Sequence, residues 1–313
     1  MYSGLKCKTR TRIKEGHLMR QILCSTGALL GRPNHRDYRL LKDIAGKLEC
    51  DGFEFMIYGS WYPEVEELIA SVKALHLNIP VVHCQKSLGE ALCGMKVRQE
   101  GSKYPEYIMT EEEDKACFLK GLEEFKINLK VACAFGAKEL VLHLWNGLPS
   151  DKNIEKNIER FGQLNELAQK EGIDLMVENV VCNAHDPLYD MRLFYQTYPD
   201  VHFVYDTKMA EFHRQTLTVF EPEWDWIWRG RHVKHLHIND YNGGYMDWGN
   251  LNVLPIGKGH VDFDSFFSKL AKYEYRGDYT IEATGFNSVT GNIDFAMLNE
   301  CFGRLRKLIN QYM

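Results

Sequence analysis

Eight apolar, strand-like runs alternate with segments of helical periodicity along this chain, and that alternation limits the folds open to it. The first run is Gln21–Ser25, and a helical pattern over 38–48 follows it. A doubly wound open sheet would be expected to carry a glycine-rich phosphate-binding turn after its first strand, and segment 27–31 lacks that pattern. The alternation therefore predicts an α/β protein with a single (α/β)8 barrel, a TIM barrel.

The chain is longer than such a barrel requires. It has 313 residues, whereas the simplest barrels need ~250. We therefore expect one catalytic barrel domain over 20–313 and an N-terminal extension over 1–19 without a catalytic role. A charged, glycine-containing segment over 86–110 forms a long loop after strand 3 and precedes a helix predicted over 111–135. This loop is either a lid at the chemical face of the barrel or a plain surface insertion.

Composition and charge argue against several classes of protein. The chain is 45% hydrophobic and 26% charged, and its net charge of -5 gives no general basic surface for a nucleic-acid backbone. No stretch is long and apolar enough to cross a membrane. Nine scattered cysteines without a Cys-x-x-Cys pair predict free thiols in a reducing compartment. We therefore expect a cytoplasmic protein that binds neither nucleic acid nor membranes.

Four polar residues stand at the ends of four apolar runs in the second half of the chain: Glu178, Asp206, His237 and Glu282. In a barrel the carboxyl ends of the strands converge on one face, so these side chains are expected to meet. Carboxylates are hard oxygen donors and imidazole is an intermediate nitrogen donor. This set suits Mn2+, Mg2+ or Co2+ and is compatible with Zn2+. The sequence thus predicts one divalent metal ion, which could polarise a substrate carbonyl and stabilise an enediolate.

The residues around these four resemble a known group of enzymes. Segments similar to motifs of the sugar phosphate isomerase/epimerase superfamily, the xylose isomerase-like barrels, are 177–179, 205–207, 235–240, 255–259, 261–263 and 281–282. The resemblance implies a divalent metal held by the four residues, with Glu178 and Glu282 as acid and base. It also implies an isomerase or epimerase of a sugar, cyclitol or related hydroxy-carbonyl compound, acting by proton abstraction and a metal-stabilised enediolate.

Endonuclease IV-like repair enzymes belong to the same superfamily and use three zinc ions, so the comparison has to be made by residue. His83 and His143 stand where that branch has additional zinc ligands. The histidine expected three residues after Asp206 is Met209, and the expected Asp-x-His before Pro255 is replaced by 251–253. A three-zinc cluster therefore cannot be completed, which argues against a phosphodiesterase.

Ketose 3-epimerases are also matched only in part. Their substrate-reading histidine, arginine and glutamate correspond here to Met209, Gly243 and Ala184. The chain retains the metal ligands of these enzymes but not the three residues that bind their substrate. The sequence therefore does not predict 3-epimerisation of a free ketose.

Further polar and aromatic residues follow the strand ends and could contact a carbohydrate-like small molecule. The predicted substrate-binding residues are His83, His143, Trp145, Lys208 and His260. Each could instead be a hydrogen-bonded or packed residue of the barrel mouth without a role in binding. Trp145 could either stack on a sugar ring or cover the rim of the barrel. Histidine titrates near neutral pH, so His83 or His143 could also shuttle a proton.

Other functions compatible with the same chain are kept open. A lyase or dehydratase, similar to inosose dehydratase or to C-glycoside-cleaving enzymes, would use the same metal site. A catalytically silent carbohydrate-binding barrel is a further alternative. An aromatic cluster of Phe220, Trp224, Trp226 and Trp228 beside two arginines is a core feature or a subunit contact, and a homo-oligomer is expected.

Overall fold

The computed structural model describes residues 20–97, 106–146 and 150–313, so the extension expected over 1–19 lies outside the described residues. The strands are β1 Ile22–Ser25, β2 Gly52–Met56, β3 Val81–His83, β4 Met95–Val97, β5 Glu106–Ile108, β6 Glu139–Leu142, β7 Asp174–Glu178, β8 His202–Asp206, β9 Val233–His237 and β10 Asp278–Ile281. Eight of them form a closed barrel in the order β1-β10-β9-β8-β7-β6-β3-β2. All eight pairings are parallel. The predicted TIM barrel is confirmed.

Helices surround the barrel. They are α1 Leu41–Ile44, α2 Val65–Lys73, α3 Glu111–Phe135, α4 Ile154–Lys170, α5 Pro187–Thr197, α6 Thr207–Phe212, α7 Asp225–Arg229, α8 Phe263–Leu270 and α9 Phe295–Tyr312. The predicted helix over 111–135 is confirmed, because Thr110 and Glu113 form a capping box at its start and Gly136, with φ of 75°, ends it. The pattern over 38–48 instead folds as one short α-helix between two 3-10 turns.

The segment after β3 has more structure than the sequence predicts. It begins with a 3-10 helix, Lys86–Ala91, and continues into the antiparallel pair β4 and β5. Residues 98–105, which connect β4 to β5 in the sequence, lie outside the described residues. The expected loop is therefore a helical turn and a β-hairpin, and its role as a lid stays a prediction.

Alternate residues of each strand point into the barrel and pack in layers, as the period of two in a β-strand requires. One layer contains the apolar cluster Leu23, Val81, Val141, Met176 and Val204. Polar residues of the same interior, Glu54, His235 and Thr280, are fully buried beside it. One part of the barrel interior is therefore polar, and it lies directly beneath the strand ends that carry the predicted metal ligands.

The aromatic cluster of α7 and the preceding turn packs within the protein. Trp224 and Trp228 are buried, and Trp226 stacks on Tyr195 with ring centroids 4.2 Å apart. These contacts favour the core reading of the cluster, and the homo-oligomer stays a prediction. Among the helices of the described part of the chain, none has the length and apolar character needed to span a membrane.

Candidate metal centre

The structure brings the four predicted ligands together at the carboxyl ends of the strands. Glu178, Asp206 and His237 are the last residues of β7, β8 and β9, and Glu282 directly follows β10. Each contributes one ligand atom to a group in which all such atoms lie within 4.8 Å of one another. All four residues are buried, so the group lies inside the mouth of the barrel and not on its surface.

Two asparagines hold the ligand residues in place, Asn239 through their carboxylates and Asn179 through the backbone of Asp206. Asn239 donates from Nδ2 to Asp206 Oδ2 at 2.8 Å and to Glu282 Oε2 at 3.1 Å, and its Oδ1 accepts the backbone N–H of Glu282. Asn179 Oδ1 accepts the backbone N–H of Asp206 at 2.6 Å. Each asparagine is close in sequence to a predicted ligand, at one position after Glu178 and two after His237. The sequence reading assigned neither of them a separate role, although their polar character inside apolar strand ends was the available signal.

The carboxylates of the group interact with histidines at short range, and with Lys86 and Lys208 at longer range. Among the described residues, the ion pairs of Glu178 and Glu282 within 4.0 Å are with histidines. Burial disfavours the charged form of His237, but Glu54, Glu282 and Glu178 outweigh it and raise the pKa of His237 well above its ordinary value. Burial also raises the pKa of Asp206 to about 6. The group therefore favours an additional positive charge, and its donor set fits a hard divalent cation.

Two of the predicted substrate-binding histidines contact Glu178. His83 Nε2 lies 3.2 Å and His143 Nε2 lies 2.8 Å from Glu178 Oε2. Burial lowers the pKa of His143, so its imidazole stays neutral at neutral pH. His83, His143 and Glu178 also form a second group with spacing suited to a cation. Glu178 thus lies between two groups, with Oε1 toward His237 and Oε2 toward the two histidines.

The other predicted substrate-binding residues do not all line the centre. Trp145 has 0% of its surface exposed, and its indole N–H donates to the Val180 carbonyl at 2.9 Å, a geometry that favours the alternative in which it covers the rim. Lys208 is buried on α6, where its charge acts on Asp206. His260 lies at the exposed rim, 3.5 Å from Glu211. Their roles in substrate binding stay predictions.

Glu54 and Lys86 belong to the centre and were missed in the sequence. Glu54 Oε2 lies 2.9 Å from His237 Nε2. Burial opposes the charge on Lys86, but Glu282 and Glu178 outweigh it and raise the pKa of Lys86. The signal for Glu54 was a charged residue in the middle of an apolar strand. Lys86, at the start of the loop after β3, had no comparable signal.

The thiol of Cys182, four residues after Glu178 in the sequence, is not activated. Burial raises the pKa of Cys182 well above its ordinary value, and Asp190 adds to the effect. Its Sγ lies 3.2 Å from Asp190 Oδ2. Cys182 is therefore a protonated, buried thiol, which agrees with a role outside the chemistry.

The protonation of Asp190 should make stability depend on pH. Burial raises the pKa of Asp190 to about 8, so the folded protein keeps a proton that the unfolded chain releases near pH 4. The contribution of this group to the free energy of unfolding is present below pH 4 and is lost as pH rises to about 8. Relative to wild type, Asp190→Asn should gain stability from pH 5 to pH 8, measured by urea unfolding. The same difference at every pH would contradict this.

The segment after β9 is folded around one carboxylate. Asp240 Oδ1 accepts the backbone N–H groups of Tyr241 and Val261, and Oδ2 accepts those of Gly257 and Gly259, all between 2.8 and 3.0 Å. Gly257 has φ of +82°, a conformation that glycine adopts without strain. This geometry explains why the motifs over 235–240 and 255–259 occur together.

Removing that carboxylate should cost stability. We expect Asp240→Asn to lower the free energy of unfolding by about 3 kcal/mol, because its amide NH2 would face backbone donors that then lack an acceptor. Asp262→Asn is the matched control, since Asp262 accepts a single N–H as the cap of α8, and it should cost about 1 kcal/mol or less. Urea unfolding of both variants measures the difference, and equal losses would refute the special role of Asp240.

Comparison with known proteins places this geometry in a family. A family model described as a xylose isomerase-like TIM barrel matches residues 43–296. The chain belongs to this family. Comparison with the curated proteins gives no significant match.

Several solved structures described as sugar epimerases are similar to this chain. D-allulose 3-epimerase from Methylomonas sp. is 17% identical, with TM-score 0.62, over 95% of this chain and 99% of that chain. D-psicose 3-epimerase from Clostridium cellulolyticum H10 is 15% identical, with TM-score 0.63, over 94% and 99%. 3-keto-D-glucoside 4-epimerase from E. coli is 17% identical, with TM-score 0.58, over 92% and 100%. At these identities the likeness establishes a shared fold.

Proposed function

We propose that this protein is a divalent-metal-dependent isomerase or epimerase of a sugar, cyclitol or related hydroxy-carbonyl compound. The observation that carries the proposal is the convergence of Glu178, Asp206, His237 and Glu282 within 4.8 Å at the carboxyl end of the barrel. Active sites of TIM barrels lie at this end. The similar structures described as sugar epimerases support the same reaction class.

The four residues would hold one ion, with Mn2+, Mg2+ or Co2+ as the cations best suited to three oxygen donors and one nitrogen, and Zn2+ compatible. When bound, such an ion supplies a Lewis acid for neighbouring carbonyl and hydroxyl oxygens of the substrate. His83 and His143 lie beside this position and could contact substrate hydroxyls.

The two glutamates are suited to move a proton. Burial opposes ionisation, but His237 and His143 hold the pKa of Glu178 well below its ordinary value. Burial likewise opposes ionisation of Glu282, whereas His237 and Lys86 lower its pKa. Both carboxylates are therefore ionised at neutral pH. One removes the proton from the carbon next to the carbonyl. The other takes up a proton from water and returns it to the same or the neighbouring carbon, and the first then releases its proton to water.

The substrate differs from the free ketoses of 3-epimerases in this proposal. The positions that correspond to their substrate readers hold Ala184, Met209 and Gly243. Met209 is buried, and its backbone N–H donates to Asp206 Oδ1, so this position supports the metal centre through its backbone. Recognition of the substrate would then depend on other residues around the mouth.

Isotope exchange tests the proposal directly. Purified protein would be treated with chelator, reloaded with Mn2+, Mg2+ or Co2+, and incubated in D2O with ketoses, their phosphates and inososes. Deuterium entering the carbon next to the carbonyl, detected by NMR and dependent on metal, is the expected result. Loss of water or of an aglycone would indicate the lyase alternative, and no exchange with any compound by the reloaded protein would contradict the proposal.

Metal content separates the classes of function. One ion per chain is expected for the isomerase. Two would indicate that the group of His83, His143 and Glu178 also binds an ion, and three zinc ions would favour a phosphodiesterase. A chain that takes up no ion would fit the silent carbohydrate-binding barrel.

A further inference from the structure

Glu54 is a fully buried carboxylate inside the barrel, one layer below the metal centre. It lies on β2 and makes three polar contacts through a single oxygen. Oε2 lies 2.9 Å from His237 Nε2, 3.0 Å from Thr280 Oγ1 and 3.3 Å from His235 Nε2. Its other oxygen, Oε1, has no hydrogen-bond partner among the described residues.

Packing does not account for a carboxylate at this position. Apart from the polar partners His235, His237 and Thr280, the interior of the barrel contains the apolar residues Leu23, Val81, Val141, Met176 and Val204. Taking a carboxylate out of water is unfavourable unless its partners compensate, and an apolar side chain of similar size is often at least as stable. A residue that stability alone does not favour is expected to serve the adjacent site.

The orientation of His237 indicates what Glu54 does. Nδ1 of His237 faces the metal centre, 3.1 Å from Glu178 Oε1 and 3.6 Å from Glu282 Oε2, whereas Nε2 faces Glu54. With the Nε2–H donated to Glu54, Nδ1 is the nitrogen that faces the position where a cation would lie, and its lone pair would bind a cation that replaces the Nδ1 proton. Without an acceptor beneath it, the ring could rotate or carry its proton on Nδ1.

We propose that Glu54 is a positioning residue that fixes the tautomer and the ring orientation of His237 for metal binding. Thr280 supports it, because its hydroxyl donates to Glu54 Oε2, and the Thr280 Oγ1 in turn lies 2.7 Å from His235 Nε2. In this arrangement Glu54 acts on the four-ligand group through His237, although its carboxylate also lies within 4.8 Å of ligand atoms of His83 and Glu282. The inference rests on the proposed metal-dependent function.

The test compares two variants of the same buried network. Glu54→Gln keeps the size of the side chain but removes the charge that holds the imidazole N–H. Thr280→Val removes a hydroxyl that contacts Glu54 but not His237. Mn2+ affinity would be measured by calorimetry, the ligand field by the visible spectrum of the Co2+-loaded protein, and stability by urea unfolding of the metal-free protein.

We expect Glu54→Gln to weaken Mn2+ binding by about 10-fold or more, the range found when partners of metal-bound histidines are changed, and to shift the Co2+ bands. Thr280→Val should stay within about 3-fold of wild type. Wild-type affinity in Glu54→Gln, or an equal loss in both variants in step with stability, would overturn the proposal and assign the network to folding. A wild-type protein that binds no metal would instead defeat the proposed function on which the inference rests.

Discussion

Glu282→Gln is expected to fold normally and to lose turnover by about 10^3-fold, equivalent to ~4 kcal/mol of transition-state stabilisation. The amide cannot accept the substrate proton, although its oxygen can still face the metal centre and Asn239. Deuterium exchange into the substrate measures the loss directly, with the metal at saturating concentration and the metal content of each sample determined.

Glu211→Gln is the matched control for this variant. Glu211 lies on α6 at the same end of the barrel, where it accepts the Thr216 hydroxyl at 2.8 Å. The substitution keeps the acceptor oxygen, so turnover should stay close to wild type. A Glu282→Gln protein that retains both its metal and wild-type turnover would refute the assignment of Glu282 as acid or base.

Adding Mn2+ to the chelator-treated protein is expected to raise its melting temperature markedly. The buried carboxylates of Glu178, Asp206 and Glu282 repel one another, and a divalent ion relieves that repulsion in the folded state alone. At a free concentration of 1,000 times Kd, the ion should contribute ~4 kcal/mol to the free energy of unfolding. For a chain of this size that corresponds to a rise on the order of 10 °C.

Asp206→Asn should abolish most of this rise. The same substitution removes one buried negative charge, so the metal-free variant should melt at or above the temperature of metal-free wild type. Asp262→Asn, which alters a helix cap that is not among the predicted ligands, should keep the full response to Mn2+. A wild-type melting temperature unaffected by Mn2+, or an undiminished rise in Asp206→Asn, would contradict the ligand assignment.

The architecture of this xylose isomerase-like barrel could be predicted because its signals are local. Apolar runs, helical periodicity and caps such as Thr110 act over a few residues, and they identified α3 with the observed bounds. The helical pattern over 38–48 predicted a longer α-helix than the one observed. Its middle forms a single turn of α-helix between two 3-10 turns. The periodicity of apolar residues indicates which face of a segment is buried, but it does not distinguish an α-helix from a 3-10 helix.

The sequence by itself determined that polar residues end four strands, and the common direction of parallel strands then predicted that Glu178, Asp206, His237 and Glu282 meet. The contacts between these ligands and residues of distant strands were decided by closure of the barrel. Glu54 is 183 residues from its contact with His237, and the two meet because the strand pairing turns both side chains inward in adjacent layers. The burial of the Trp145 side chain was likewise decided by the tertiary structure. Contacts between residues so far apart depend on register and side-chain direction, which no local pattern specifies.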